Sequence, residues 1–313
     1  MGRESRRIVA SALVAAAFGL PAAALAEDTF QAEAGLSYSR LSAEGLRQNA
    51  ARVDAAYFFD KLPVSPKDHP LDQAAFVGRS GSLSANYGLS KSDVHDYQSP
   101  DKGSMYGAAF DFRQPDMPFI VRASYDSLYS GKLGGTLPSS TITFESWSDA
   151  RYYQLSLGAY VHKSTALSLD WARMRSRFRV TQSDGTVFPD VKESFTSIGV
   201  SGQHLSQVFP GRYVATIASV GQTKREPQAA PSAKNLEWFL EATYYPLKTL
   251  GVALGLLSSR GDDASSEGET YLAGVKMFVT PEVSLGLDFQ QSHTKAPNSL
   301  DYDYVALTAR VRF

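Results

Sequence analysis

The sequence predicts an all-β fold, a transmembrane up-and-down antiparallel β-barrel of about 14 strands, within a range of about 12 to 16. Three observations predict it. The last strand reads Tyr304-Val305-Ala306-Leu307-Thr308-Ala309-Arg310-Val311-Arg312-Phe313. Successive strand side chains point to opposite faces, so Val305, Leu307, Ala309, Val311 and Phe313 share an apolar face and Thr308, Arg310 and Arg312 a polar one. In a lipid-facing barrel the apolar face is the outer one, and the arginines look into a watery lumen. At the other end of the chain, Arg3, Arg6 and Arg7 precede an apolar run from Ile8 to Leu20 and the small-residue site Ala24-Leu25-Ala26. That is the layout of a secretory signal peptide over residues 1–26, cleaved before Glu27, with 27–313 as one barrel domain. Finally, no other stretch approaches the roughly 18 consecutive apolar residues of a spanning helix, whereas strand-length segments of alternating polarity recur throughout.

Composition agrees and excludes other classes. Mean hydropathy is −0.22, low for a helical membrane protein and ordinary for a barrel whose wall is half wetted. The 31 basic and 32 acidic residues give a net charge of −1 without a basic block, which argues against a nucleic-acid partner. Cysteine is absent, which removes disulfides, thiol nucleophiles and thiolate metal sites.

The strands follow in order from the alternation. The first two, about Thr29 to Leu41 and Ala50 to Phe59, turn Val53, Ala55, Tyr57 and Phe59 to lipid and Arg52 and Asp54 inward. Asp60 to Asp72 is an irregular excursion, because Pro63, Pro66 and Pro70 each remove a ladder donor; the third strand resumes at Ala74 and runs to Leu89. In the fourth, Ser104 to Arg113, Tyr106, Phe110 and Phe112 face out and Asp111 and Arg113 in. The fifth, Phe119 to Tyr129, carries Arg122, Ser124 and Asp126 inward. The sixth to ninth span Arg151 to Val161, Ala166 to Val180, Glu193 to Leu205 and Tyr213 to Thr223. The tenth, Leu236 to Tyr245, supplies Glu237 and Glu241; the eleventh is Leu250 to Ser259. Lys276 belongs to the twelfth (Thr270 to Thr280), Asp288 to the thirteenth (Val283 to Ser292), and Arg310 and Arg312 to the last. Proline-marked tight turns at Gln114-Pro115-Asp116, Phe209-Pro210-Gly211, Pro246-Leu247-Lys248 and Thr280-Pro281-Glu282 alternate with longer polar loops, as periplasmic turns alternate with outer loops.

The pore-lining set expected from this parity is Arg52, Asp54, Asp111, Arg113, Arg122, Asp126, Arg173, Arg175, Glu237, Glu241, Lys276, Asp288, Arg310 and Arg312. A lipid-exposed Arg or Lys at mid-membrane costs about 2 to 4 kcal/mol, so water is the cheaper place. Arg173 and Arg175 are special, because with Arg177 and Arg179 they share the parity of Leu167, Leu169 and Trp171. A bulge near Asp170 would turn them into the lumen, the expectation adopted; an unbroken strand would leave them at the outer rim beside outer-leaflet phosphates. Tyr38, Tyr57, Phe59, Phe112, Phe119, Tyr129, Tyr244 and Phe313 fall at strand ends, as in an interfacial girdle.

The stretch Ala55 to Gly88, AAYFFDKLPVSPKDHPLDQAAFVGRSGSLSANYG, together with the terminal Tyr-Val-Ala-Leu-Thr-Ala-Arg-Val-Arg-Phe run, resembles the general bacterial porins. The resemblance implies a passive outer-membrane channel and carries no catalytic residues. The aromatic C-terminus likewise resembles the signal read by the barrel-assembly machinery. Ser130 to Ala150 stands third among the outer loops, the one that folds into the pore in general porins, so the resemblance suggests a constriction loop whose Glu145 and Asp149 face lumen arginines such as Arg52, Arg122 or Arg173. Alternation over Thr141 to Trp147 equally allows a hairpin standing above the membrane.

The expected function is passive diffusion of small hydrophilic solutes across the outer membrane; the alternatives are a closed structural or adhesive barrel and an outer-membrane enzyme. His162 with Ser164 and Asp93 with His95 are lone pairs without a third member, so no catalysis is expected, and no cofactor or metal. Expected partners are outer-membrane lipid and lipopolysaccharide and the assembly machinery; a homotrimer, familiar among general porins, and a monomer, common among smaller barrels, both stay open.

Overall fold

The computed structural model describes residues 28–94, 101–136, 143–182, 186–228, 232–261, 267–295 and 301–313. The expected signal peptide lies outside the described residues. Fourteen strands form one closed antiparallel barrel: β1 (Thr29–Ala43), β2 (Leu46–Pro63), β3 (Ser82–Val94), β4 (Asp101–Gln114), β5 (Met117–Thr136), β6 (Thr143–His162), β7 (Thr165–Gln182), β8 (Val191–Phe209), β9 (Arg212–Pro227), β10 (Ala233–Leu247), β11 (Leu250–Gly261), β12 (Gly268–Phe278), β13 (Val283–Thr294) and β14 (Tyr302–Arg312). Each strand pairs with its chain neighbours, and β14 closes on β1 with Tyr38 opposite Leu307 and Glu33 opposite Arg312. Closure satisfies every strand edge, which lipid would otherwise leave without partners.

The wall is of uneven height. Strands β5 and β6 are 20 residues each, whereas β12, β13 and β14 are 11, 12 and 11. At about 3.3 Å per residue, the longer pair carries about 30 Å of additional strand. The first outer connection is shorter than the sequence suggests: Glu44-Gly45 is a tight turn, with Gly45 at φ 71° where a side chain would be strained.

Apolar side chains cover the outside, as in Leu254 at 66% exposure and Leu307 at 57%. The buried apolar clusters lie at the end where β1 begins and β14 stops, the end expected to be periplasmic, around a segment that the strand pattern misassigns. Ala74 does not begin the third strand. Leu71–Gln73 forms a 3₁₀ turn and Ala74–Val77 (α1) a helical turn closed by the Gly78 N–H on the Ala74 carbonyl; β3 starts only at Ser82. A short apolar run such as Ala-Ala-Phe-Val has no period of its own to separate strand from helix, and what decides it is that Phe76 finds an apolar seat inside the bore.

Candidate channel lumen and periplasmic plug

Ion pairs run along the face opposite the exposed apolar side chains. Arg310 reaches Glu33 at 2.7 Å and Asp54 at 3.4 Å, while Asp111 takes Arg113 at 2.5 Å and Arg122 at 3.2 Å. Strand parity then places Arg52, Asp54, Asp111, Arg113, Arg122, Asp126, Glu237, Glu241, Lys276, Asp288, Arg310 and Arg312 on the inside of the wall. They line shared recesses of the bore. One recess of about 480 Å³ brings together Arg122, Asp170 and Glu237; another of about 340 Å³ brings together Arg52, Asp54, Glu241, Asp288 and Arg310. Basic groups are mostly paired, but among the described residues Asp126, Asp170, Glu237, Glu241 and Asp288 have no cationic partner within ion-pair distance.

Several of these carboxylates lie against the wall rather than across the bore. Gly35, Gly107 and Gly274 stand directly opposite Asp54, Asp126 and Asp288. A Cβ added at Gly35 would sit 2.8 Å from the Asp54 carboxylate, one at Gly107 2.0 Å from that of Asp126, and one at Gly274 2.8 Å from that of Asp288. The missing side chains therefore give the carboxylates room to fold flat, which widens the bore. Asn86 holds the Asp126 carboxylate there with a 3.3 Å hydrogen bond.

The segment 64–81 between β2 and β3 enters the periplasmic mouth and spans it. Phe76 packs among Ile120, Tyr160, Ala166, Leu205, Tyr213, Ala215 and Tyr245, all inward side chains of β5 to β10, while Val64 and Ala74 pack on Phe30 and Leu62. Polar contacts anchor it to the far wall. Lys276 pairs with Asp72, and Tyr245 donates to the same carboxylate at 3.2 Å; Gln73 bonds Tyr245 and Gln203; the Leu71 N–H donates to the Lys248 carbonyl at 3.1 Å. Tyr160 Oη donates to the Phe76 carbonyl at 2.9 Å. Burial works to raise the Asp72 carboxyl, but the Lys276 ammonium and its hydrogen bond, with Arg312 behind, hold it below the ordinary carboxylate range. His69 is buried with neither ring nitrogen hydrogen-bonded, and burial pushes its imidazole down.

Three expectations need correction. Arg312 and Lys276 are on the inner wall but do not line an open bore: Arg312 lies between the Phe30 and Phe278 rings at 4.7 and 4.5 Å, bonds Glu33 at 3.0 Å and donates to the Leu71 carbonyl, and Lys276 is spent on Asp72. Arg173 and Arg175 are not in the lumen. Pairing of β7 with β6 runs in register from Ala166 to Gln182, so no bulge at Asp170 flips the strand, and the arginines stay on the lipid-side parity of Leu169 and Trp171. The stretch Ser130 to Ala150 is not an inward loop in its described part. Leu133 pairs with Ser146, Gly134 with Glu145 and Thr136 with Thr143, so it extends the β5–β6 hairpin; Asp149 faces outward and bonds Arg177 at 3.0 Å. Residues 137–142 lie outside the described residues.

The sequence reading missed Asp170, Phe76, Asp72 and Tyr245 as site residues. Asp170 was legible, because it alternates with Leu169 and Trp171. The plug residues were not, because a segment without strand period gives no parity to read. An outer aromatic row was also missed: Tyr106, Tyr125 and Tyr153 follow one another with ring centroids 6.2 and 5.2 Å apart. At the β6–β7 turn His162 Nδ1 lies 3.2 Å from Ser164 Oγ in an exposed position, and among the described residues no group of acidic or histidine side chains forms a metal site.

The family model described as "Putative general bacterial porin" matches residues 5–171. The chain belongs to this porin family. No curated protein matches it in sequence. Among solved structures, this porin is similar to the Acinetobacter baumannii outer membrane protein Omp33, at 13% identity and TM-score 0.54 over 91% of this chain and 99% of that one. It is similar also to the CymD monoaromatic hydrocarbon channel, at 10% identity and TM-score 0.52 over 91% and 89%. At such identities the likeness is one of fold: an outer-membrane barrel.

Proposed function

We propose that this porin is a passive channel through which small hydrophilic solutes diffuse across the outer membrane, narrowest at the periplasmic end where residues 64–81 enter the bore. One observation carries the reading: ionic side chains from well-separated strands share recesses of about 480 and 340 Å³ inside the barrel, while the apolar clusters inside the bore gather at the plug. A barrel of about 14 strands lies between the about 8 that side chains fill and the about 16 that leave a wide channel, so one inserted segment suffices to set the bore. The surplus of unpaired carboxylates, Asp126, Asp170, Glu237, Glu241 and Asp288, gives the mid-lumen a negative potential that concentrates cations. The charged wall also tells against an apolar cargo of the kind named for the hydrocarbon channel. No cofactor or energy source enters this reading, and no catalytic residue. Planar-bilayer recording tests it: discrete conductance steps and a reversal potential shifted toward cations under a salt gradient are expected, and a barrel that inserts but neither conducts nor supports liposome swelling would be a closed structural one.

A further inference from the structure

The outer face of β6 to β9 carries more basic than acidic side chains among the described residues. Like charges directly opposed in a sheet destabilise it, yet Arg151 faces Arg175, and Arg177 faces Lys192. Neutralisation is partial. Asp149 takes Arg177 at 3.0 Å, Asp190 takes Arg179 at 2.6 Å and Glu226 takes Lys224 at 2.5 Å; among the described residues Arg151, Arg173, Arg175 and Lys192 make no ion pair. The Nε of Arg173 is buried and has no hydrogen-bond partner. Arg151, Arg173, Arg175, Arg177 and Lys192 line an open groove of about 460 Å³ with Asp149, Glu193 and Glu226, which leaves an excess of positive charge there.

The position of the groove narrows what can fill it. Immediately toward the periplasm on the same outward parity stand Leu167, Leu169, Ile198 and Val200, all about half exposed, so an apolar lipid-facing wall runs directly into the arginine ladder. Tyr153, the cross-strand neighbour of Arg173, packs on Tyr125 at 5.2 Å with the rings tilted by 52° at this junction, and aromatic side chains of this kind occupy the headgroup level. A ligand matching both halves has acyl chains against the leucines and phosphates on the guanidinium groups, which bind phosphate by two parallel hydrogen bonds. We infer that the Arg151–Arg173–Arg175 groove is a binding site for a phosphorylated, acylated lipid of the outer leaflet. A free anion would leave the apolar half unused. The inference needs the barrel's place in the outer membrane but not an open lumen, so a failed conductance experiment leaves it standing.

The test uses the folded full-length barrel in detergent with bisphosphorylated lipid A as the probe. Binding by native mass spectrometry or fluorescence should weaken at least about tenfold, on the order of 1.4 kcal/mol, in Arg151→Ala/Arg173→Ala/Arg175→Ala and to a similar extent when the lipid A is dephosphorylated. The Lys triple variant should recover part of the loss, since charge without the planar fork binds phosphate less well; heat-modifiable migration and circular dichroism confirm that each variant is a barrel. Millimolar inorganic phosphate should not displace the lipid. Undiminished binding by the Ala triple variant or by dephosphorylated lipid A overturns the site, and full displacement by inorganic phosphate reduces it to a general anion groove. An Ala variant that loses an oligomer but keeps lipid A would make this face an interface between copies instead.

Discussion

The two ends of the barrel are built on opposite physical terms. At the periplasmic end, residues 64–81 fold inward and the buried apolar side chains of the molecule gather round Phe76 and Phe30, with Asp72, Lys276 and Arg312 as polar anchors. At the outer end, β5 to β8 run to between 18 and 20 residues against 11 or 12 for β11 to β14, and their upper part is continued sheet, β6 pairing with both β5 and β7 as far as Phe144, with Arg177 and Arg179 outward against Trp147. The contrast teaches that the restriction of a bore comes from whichever connection can bury apolar surface inside it. The β2–β3 segment brings Phe76 and the 3₁₀ turn; the β5–β6 hairpin completes its backbone hydrogen bonds within itself and with β7, and has nothing to gain by entering.

Removing the plug gives the largest effect that would break this comparison. Replacing residues 65–79 with a short Gly-Ser turn should raise single-channel conductance several-fold with the barrel still heat-modifiable; an unchanged step size would mean that the bore is narrowed elsewhere. Phe76→Ala comes next. It removes the aromatic ring at the centre of the periplasmic cluster and should cost on the order of 3 kcal/mol, read as lost hydrogen-exchange protection of residues 71–81 while strand amides of β10 to β14 keep theirs.

Acid provides a milder lever on the same end. The Asp72 carboxyl is held below its ordinary value of 3.8 by Lys276 once burial has been outweighed, so its contribution to docking the plug is complete above that value and is lost as pH falls through the depressed folded value. Plug protection should therefore hold from neutrality to mild acid and fall only in strong acid, and Asp72→Asn should lower it at neutral pH and flatten that dependence. A plug equally protected in Asp72→Asn would assign its docking to Phe76 alone. The smallest effect is expected at the other end: deleting residues 133–145, or replacing Glu145 and Asp149 with neutral residues, should leave conductance and selectivity within experimental scatter. A clear rise in conductance on that deletion would restore the outer hairpin as the constriction.

Much of the wall was legible in the chain. Period-two alternation sets which side chain meets lipid, and because each strand reads independently, errors of a few residues at strand ends do not propagate; Asp54, Asp111, Glu241 and Asp288 lie inside for the same reason that Tyr57, Phe110, Leu240 and Leu287 lie outside. The arginines of β7 show where that logic was set aside. Their own parity put them outside, and only the assumption that charge must seek the lumen moved them in; the cost of exposed arginine vanishes above the apolar band, where the tall wall carries them. What tertiary structure alone decided is the plug. Whether Ala74–Val77 is strand or helix, and whether a proline-rich excursion hangs in the periplasm or fills the mouth, depends on residues of β5 to β14 that converge on it only after the barrel has closed, because short segments without a hydrophobic period take their conformation from the surface they bury.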